Sequence, residues 1–261
     1  MTKLAAKNPK TYKITKNTIF YIIFLVAWAG LSTIAGQLIA SLIMTLLLGE
    51  QVHQPFWMAI YQFLAYTLAL FSIIFVPPKL ADILRREHKL PAHITEELKT
   101  NRSELGLQDL PTFVDIGLVP IAYIIYGILA NLAINLMQIF PWFNSEQTQD
   151  VGFSYFNTGL NKLFTVIALV FIAPIAEELI MRGWLYGKLR KKTPTIVAIL
   201  LVSLLFAALH GQWNVGISVF ILSIILCGLR EVTGTIYSGI LLHILVNGIS
   251  FYVLSSGLMG L

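Results

Sequence analysis

The chain has 261 residues, of which 57% are hydrophobic and only 12% charged, about half the charged share of a soluble domain. So few polar residues cannot cover a water-soluble body of this size, and the mean hydropathy of +0.77 agrees. The formal charge of +5 lies largely in short segments between apolar runs, where it reports membrane orientation and not a nucleic-acid partner, and the single cysteine, Cys227, excludes an intramolecular disulfide and a cysteine zinc cage.

Apolar runs of roughly 18 residues or more read as membrane spans. The first, Thr18–Leu48, is far longer than the apolar region of a cleaved signal peptide, about 7–15 residues. Lys3, Lys7, Lys10, Lys13 and Lys16 precede it and predict a cytoplasmic N-terminus. Gly30 and Gly36 mark where this run can bend, and a re-entrant pair inside it would raise the total to eight spans. A link without Lys or Arg leads to span 2, Phe56–Val76, which Pro77-Pro78 is expected to stop. The polar stretch Lys79–Pro111 carries six basic residues and reads as an inside loop, with an interfacial helix over Lys79–Lys89.

Span 3 is Phe113–Phe140, followed by an outside segment, Pro141–Asn161, without Lys or Arg. Span 4, Lys162–Leu189, closes on the inside cluster Lys188, Arg190, Lys191 and Lys192. Span 5 is Thr195–Leu209, span 6 Val215–Leu229 with Arg230 inside, and span 7 Thr235–Leu254. The basic residues alternate sides without conflict across seven spans. The predicted fold is all-α: a polytopic integral membrane helix bundle of seven or eight transmembrane helices. It forms one domain, residues 1–261, with no visible internal repeat.

Charged groups inside a bilayer cost about 2.5–3.5 kcal/mol each on insertion scales and mark function by default. Here they gather late in the chain, in three clusters. In span 4, Glu178 and Arg182 are four apart and share a helix face, while Glu177 points about 100° away. One carboxylate can be locked to Arg182 while the other faces a cavity, where poor solvation suits a general base. Pro174, just before the pair, removes a backbone hydrogen bond and can kink the helix. Phe206 and His210 share a face at the end of span 5, and His243 and Asn247 share one in the middle of span 7. Bland readings stand beside these: a structural ion pair, an interfacial histidine, a helix–helix hydrogen bond. Counted from the basic boundary at 1.5 Å per residue, Glu177 lies roughly 16–22 Å up, His243 about 13 Å and His210 about 24 Å, the outlier.

Glu-Glu-x-x-x-Arg, Phe-x-x-x-His and His-x-x-x-Asn, in that order on separate apolar helices, resemble the CPBP family. These are the CAAX-prenyl-protease and bacteriocin-processing intramembrane endopeptidases, also called Abi. The resemblance covers about residues 163–254, the catalytic core it implies. It implies that Glu177 activates the attacking water with His210 as partner. It implies that His243 and Asn247 line an oxyanion site, and that Glu178 and Arg182 brace Glu177. The implied substrate is a membrane-associated peptide or protein, either of CAAX type or a bacteriocin leader, and the implied location is a bacterial plasma membrane.

The cofactor question stays open at this level. Glu177, His210 and His243 form a conceivable zinc set with an open position. A metal-free reaction fits equally, and Asn247 suits an oxyanion hole better than a zinc ligand. Two non-protease readings also stand: a non-catalytic immunity or scaffold protein of the same fold, and a proton-coupled transporter relaying protons through Glu177, His210 and His243.

Overall fold

A computed structural model describes residues 15–87, 96–144 and 159–256. Among them there are helices and no strand. Seven helices matter: α1 (Lys16–Leu48), α2 (Pro55–Arg86), α3 (Phe113–Met137), α4 (Gly159–Lys192), α5 (Thr195–Leu209), α6 (Trp213–Thr233) and α7 (Tyr237–Ser255). Six are long and apolar enough to cross a membrane; α5 is apolar but has only 15 residues. Outward-facing side chains such as Phe20, Leu46 and Ile128, each more than half exposed, form an apolar surface that water would not tolerate and lipid would cover.

Two expectations change. α1 is one continuous helix, so the re-entrant pair and the eighth span are not formed. α2 does not stop at Pro77-Pro78 but runs on to Arg86, absorbing most of the expected interfacial helix. Ile73, Pro77 and Ala81, spaced by four, are all buried, and this packed stripe carries the helix through both prolines. Lys188, read as one of the inside basic cluster, is fully buried, unlike Lys191 beside it. The lysines before Lys16, Lys89, and residues 145–158 of the expected outside segment lie outside the described residues.

α4 is the axis. One core cluster joins Leu25 and Ala29 of α1, Tyr66 and Ile73 of α2, Ile180 and Trp184 of α4, and Val202 and Phe206 of α5. A second joins Val119 of α3, Leu222 and Leu226 of α6, and Leu242 and Val246 of α7. α1 and α2 come so close that a Cβ on Gly36 would sit 2.5 Å from the Ala65 carbonyl oxygen. Asp115, in a capping box at the start of α3, also accepts hydrogen bonds from Thr235 (3.1 Å) and Ser238 (2.7 Å), tying α3 to the start of α7.

The segment 96–108 is strapped across the basic end of α4. The Lys188 ammonium donates to the carbonyls of Glu97 (3.0 Å) and Lys99 (2.9 Å) and to the Glu104 carboxylate (3.1 Å). All three of its protons are thereby used, which is what permits a buried ammonium. Lys191 pairs with the same Glu104, and Lys192 with Glu97. Gly187 is required beneath the strap, because a Cβ there would fall 2.3 Å from the Glu104 carbonyl oxygen.

Replacing Lys188 with Met should leave those acceptors without a donor and cost roughly 1–3 kcal/mol. The expected result is a lower thermal midpoint in detergent and faster cleavage of the 96–108 segment in limited proteolysis. Unchanged cleavage would show that the other contacts alone hold the strap.

Candidate active site

α4 is not a regular α-helix. Residues Ile167–Ile172 and Leu179–Leu185 are π-helical, and the single α-helical stretch between them, Ala173–Glu178, ends on the two glutamates. Pro174, at the junction, has no N–H to give to the preceding turn, which explains why the regular ladder fails there. Irregular backbone within a membrane must find other partners, and one comes from α7: the Asn247 amide donates to the Leu169 carbonyl at 2.9 Å.

The predicted division of labour between the glutamates is present. Glu178 has no exposed side-chain surface, and its Oε1 accepts from Arg182 Nη1 at 2.8 Å. Arg182 is equally buried, and its guanidinium lies over the Phe206 ring, 4.5 Å from the centroid. The same Oε1 of Glu178 pairs with His243 Nδ1 at 3.0 Å. A carboxylate takes its hydrogen from Nδ1–H, so the lone pair of the neutral ring lies on Nε2. That nitrogen faces Glu177 Oε2 at 3.7 Å. Glu177 keeps 19% of its side chain exposed, the one acidic group of the cluster that is open to solvent.

His210 arrives by a different route. α5, at 15 residues, covers only about 22 Å, less than a hydrocarbon core of roughly 30 Å. It therefore ends short of the far face when counted from the basic boundary, at the height the sequence count also gives His210. The His210 ring is held by the Phe206 carbonyl at 2.8 Å from Nδ1 and stands edge-on to the Phe206 ring, centroids 4.9 Å apart. The other side of Phe206 meets His243, centroids 5.8 Å apart and nearly perpendicular. Phe206 thus separates the two imidazoles, and no hydrogen bond joins His210 to Glu177. Of the six predicted site residues, Glu177, Glu178, Arg182 and His243 are brought together, while His210 meets His243 only across the Phe206 ring and Asn247 bonds to the Leu169 carbonyl.

Two contributors were not read from the sequence. Tyr66 of α2 donates its hydroxyl hydrogen to Glu177 Oε1 at 2.5 Å. Nothing marks this tyrosine among the ten of the chain. Gly239 of α7 lies against Glu178, where a Cβ would come within 2.9 Å of Oε2. It is the missing side chain that lets α7 approach the buried carboxylate.

Among the described residues no group of three or more His, Cys, Asp or Glu side chains is placed to hold a metal ion.

Comparison with known proteins gives one match. Residues 159–249, roughly a third of the chain, match the family model described as type II CAAX prenyl endopeptidase Rce1-like. No curated protein and no solved structure matches the chain. The matched region holds every motif residue, from Glu177 to Asn247, and excludes α1, α2 and α3. With the three motifs on their helices and this match over them, residues 159–249 are similar to the CPBP, or CAAX-protease, family of membrane endopeptidases.

Proposed function

We propose that the protein is an intramembrane endopeptidase that hydrolyses a peptide bond with water activated by Glu177. The observation that carries this reading is the pairing of one solvent-open carboxylate, Glu177, with an imidazole nitrogen 3.7 Å away that a second, buried carboxylate orients. Nucleophile activation needs a base within reach of a water, and orientation of the imidazole fixes which nitrogen faces it.

In the proposed reaction, water donates a proton to Glu177 Oε2 and its oxygen attacks the scissile carbonyl carbon. The carbonyl π electrons move to oxygen, forming a tetrahedral oxyanion. The second N–H of Asn247 donates to that oxyanion, and so does His243 when its Nε2 carries a second proton taken from solvent; the other Asn247 N–H is committed to Leu169. The intermediate collapses, the C–N bond breaks, and the proton held on Glu177 passes to the leaving nitrogen, directly or through His210. Glu178 and Arg182 touch no reacting atom; they hold His243. The domain is proposed to be single, with its catalytic core in about residues 163–254, and to sit in a cell membrane with the basic ends of α2 and α4 on the cytoplasmic side.

The family match supports a CAAX-type substrate, a lipid-modified peptide near its C-terminus. A groove of about 570 Å³, lined by Leu204, Ala207, Trp213 and Phe220, opens beside His210 and is almost wholly apolar. Its chemistry suits the apolar part of a substrate entering from the bilayer.

Purified protein in lipid nanodiscs, given a farnesylated Cys-a-a-X peptide and separately a set of unmodified membrane peptides, should cleave at least one of them. Glu177→Ala should then lower kcat by about 10²–10⁴-fold. Cleavage at the wild-type rate by that variant would sink the reading. Arg182→Met should cost about 3–5 kcal/mol of stability, because it strands a buried carboxylate. The double variant Glu178→Leu with Arg182→Met should recover most of the thermal midpoint and yet remain inactive, since His243 loses its orienting partner. Recovery of both midpoint and activity would show that the pair is structural only.

A further inference from the structure

The first three helices lie outside the family match, and one of them reaches into the site. Tyr66 is 7% exposed and sits among Ala69 and Ile73 of its own helix in the core cluster that also holds Ala173, Ala176 and Ile180 of α4. In such surroundings a phenol needs a hydrogen-bond acceptor, and the acceptor it has is Glu177 Oε1. The height of Tyr66 is set by backbone packing. The neighbouring residue Ala65 and Ala69, one turn on, are the positions against which α1 closes at Gly36, where a Cβ would lie 2.5 Å from the Ala65 oxygen and 3.2 Å from the Ala69 Cβ. A side chain on Gly36 would push that turn, and with it the phenol, away from its place.

We infer that Tyr66 is a positioning residue for Glu177, supplied by the part of the chain outside the matched region, and that it selects which carboxylate oxygen does the chemistry. This inference rests on the reading of Glu177 as the base. With Oε1 engaged by the phenol, Oε2 is the oxygen left to draw a proton from water, and Oε2 is the one that faces His243 Nε2. A carboxylate is free to rotate about its last bond. Without the phenol, both oxygens compete for the position beside His243, and the carboxylate can turn out of line with the water. Every other polar group near the carboxylate lies elsewhere: Glu178 and Arg182 on α4 are committed to each other, and His243 on α7 faces the second oxygen. From α2, the phenol that bonds Glu177 is that of Tyr66.

The test uses the full chain in nanodiscs and the peptide that the wild type cleaves best. Tyr66→Phe, which removes one oxygen and keeps the ring, should lower kcat roughly ten- to a hundredfold, the worth of one charge-assisted hydrogen bond. KM should stay within about twofold, because the substrate never meets the phenol. Para-aminophenylalanine at position 66 restores a donor at the same place and should recover most of the lost kcat, which a packing defect would not allow. In a Glu177→Gln background the Phe substitution should have no further effect. A readout free of turnover accompanies these: the infrared carboxylate band assigned by its loss in Glu177→Gln should shift in Tyr66→Phe and return with the amino analogue. A wild-type kcat and an unshifted band in Tyr66→Phe, with Glu177→Ala inactive, would overturn the role of Tyr66 and leave the protease reading intact. Cleavage that survives Glu177→Ala would overturn both.

Discussion

The buried ion pair of Glu178 and Arg182 is the interaction on which the rest of the site depends. Removing two charges from water costs several kcal/mol per ion even after relaxation, and mutual attraction alone rarely repays it. Here the compensation comes from three helices. α4 supplies both charges at 2.8 Å, α5 supplies the Phe206 face against the guanidinium, and α7 supplies the His243 nitrogen and the bare Cα of Gly239. Each of these is correct only if the helices stand in one rotation and at one height. The pair therefore acts as a register device: the cost of burying it is offset only in the arrangement that also points His243 Nε2 at Glu177.

The backbone of α4 follows from the same demand. A regular α-helix places side chains at fixed 100° steps, but this helix must lock Arg182 on one side, open Glu177 on another and still fill a packed core with Trp184 and Leu185. The two π segments change the angular step on either side of the glutamates, and π distortions of this kind are frequent at functional sites. Pro174 starts the first distortion, and Asn247 accepts its consequence by donating to the Leu169 carbonyl. Asn247 is thus partly a structural clasp between α7 and α4.

Much of this was legible in the sequence, for a physical reason. In a bilayer a charge is expensive, so its presence is information; six polar residues in otherwise apolar helices pointed to a candidate site, and helical spacing paired Glu178 with Arg182 correctly. The seven apolar helices, six of them long enough to cross a membrane, were legible because hydropathy and length are strong signals at membrane depth. What failed was whatever depends on tertiary context. The prolines in α2 looked like a stop, yet the buried stripe of Ile73, Pro77 and Ala81 overrides them. Lys188 looked like one more lysine of the inside cluster, because its acceptors come from a loop some 90 residues earlier. Tyr66 was invisible, since a tyrosine in an apolar span differs little from the phenylalanines around it until its hydroxyl is seen to touch a carboxylate.

Two adjacent glutamates would be redundant if both were buried or both solvated. Their environments differ sharply: Glu178 is sealed and Glu177 is a fifth open. Hydrolysis requires that water reach the reacting centre and be kept from everything else that stabilises it. A sealed Glu178 keeps its full electrostatic strength toward Arg182 and His243, because solvent would weaken both interactions through its higher dielectric. An open Glu177 meets the one molecule that must enter. Exchanging the two environments would leave His243 without an orienting partner and, in the proposed reaction, the water without a base. The order of the two residues along α4, one step of rotation apart, is what separates a dry support from a wet reagent.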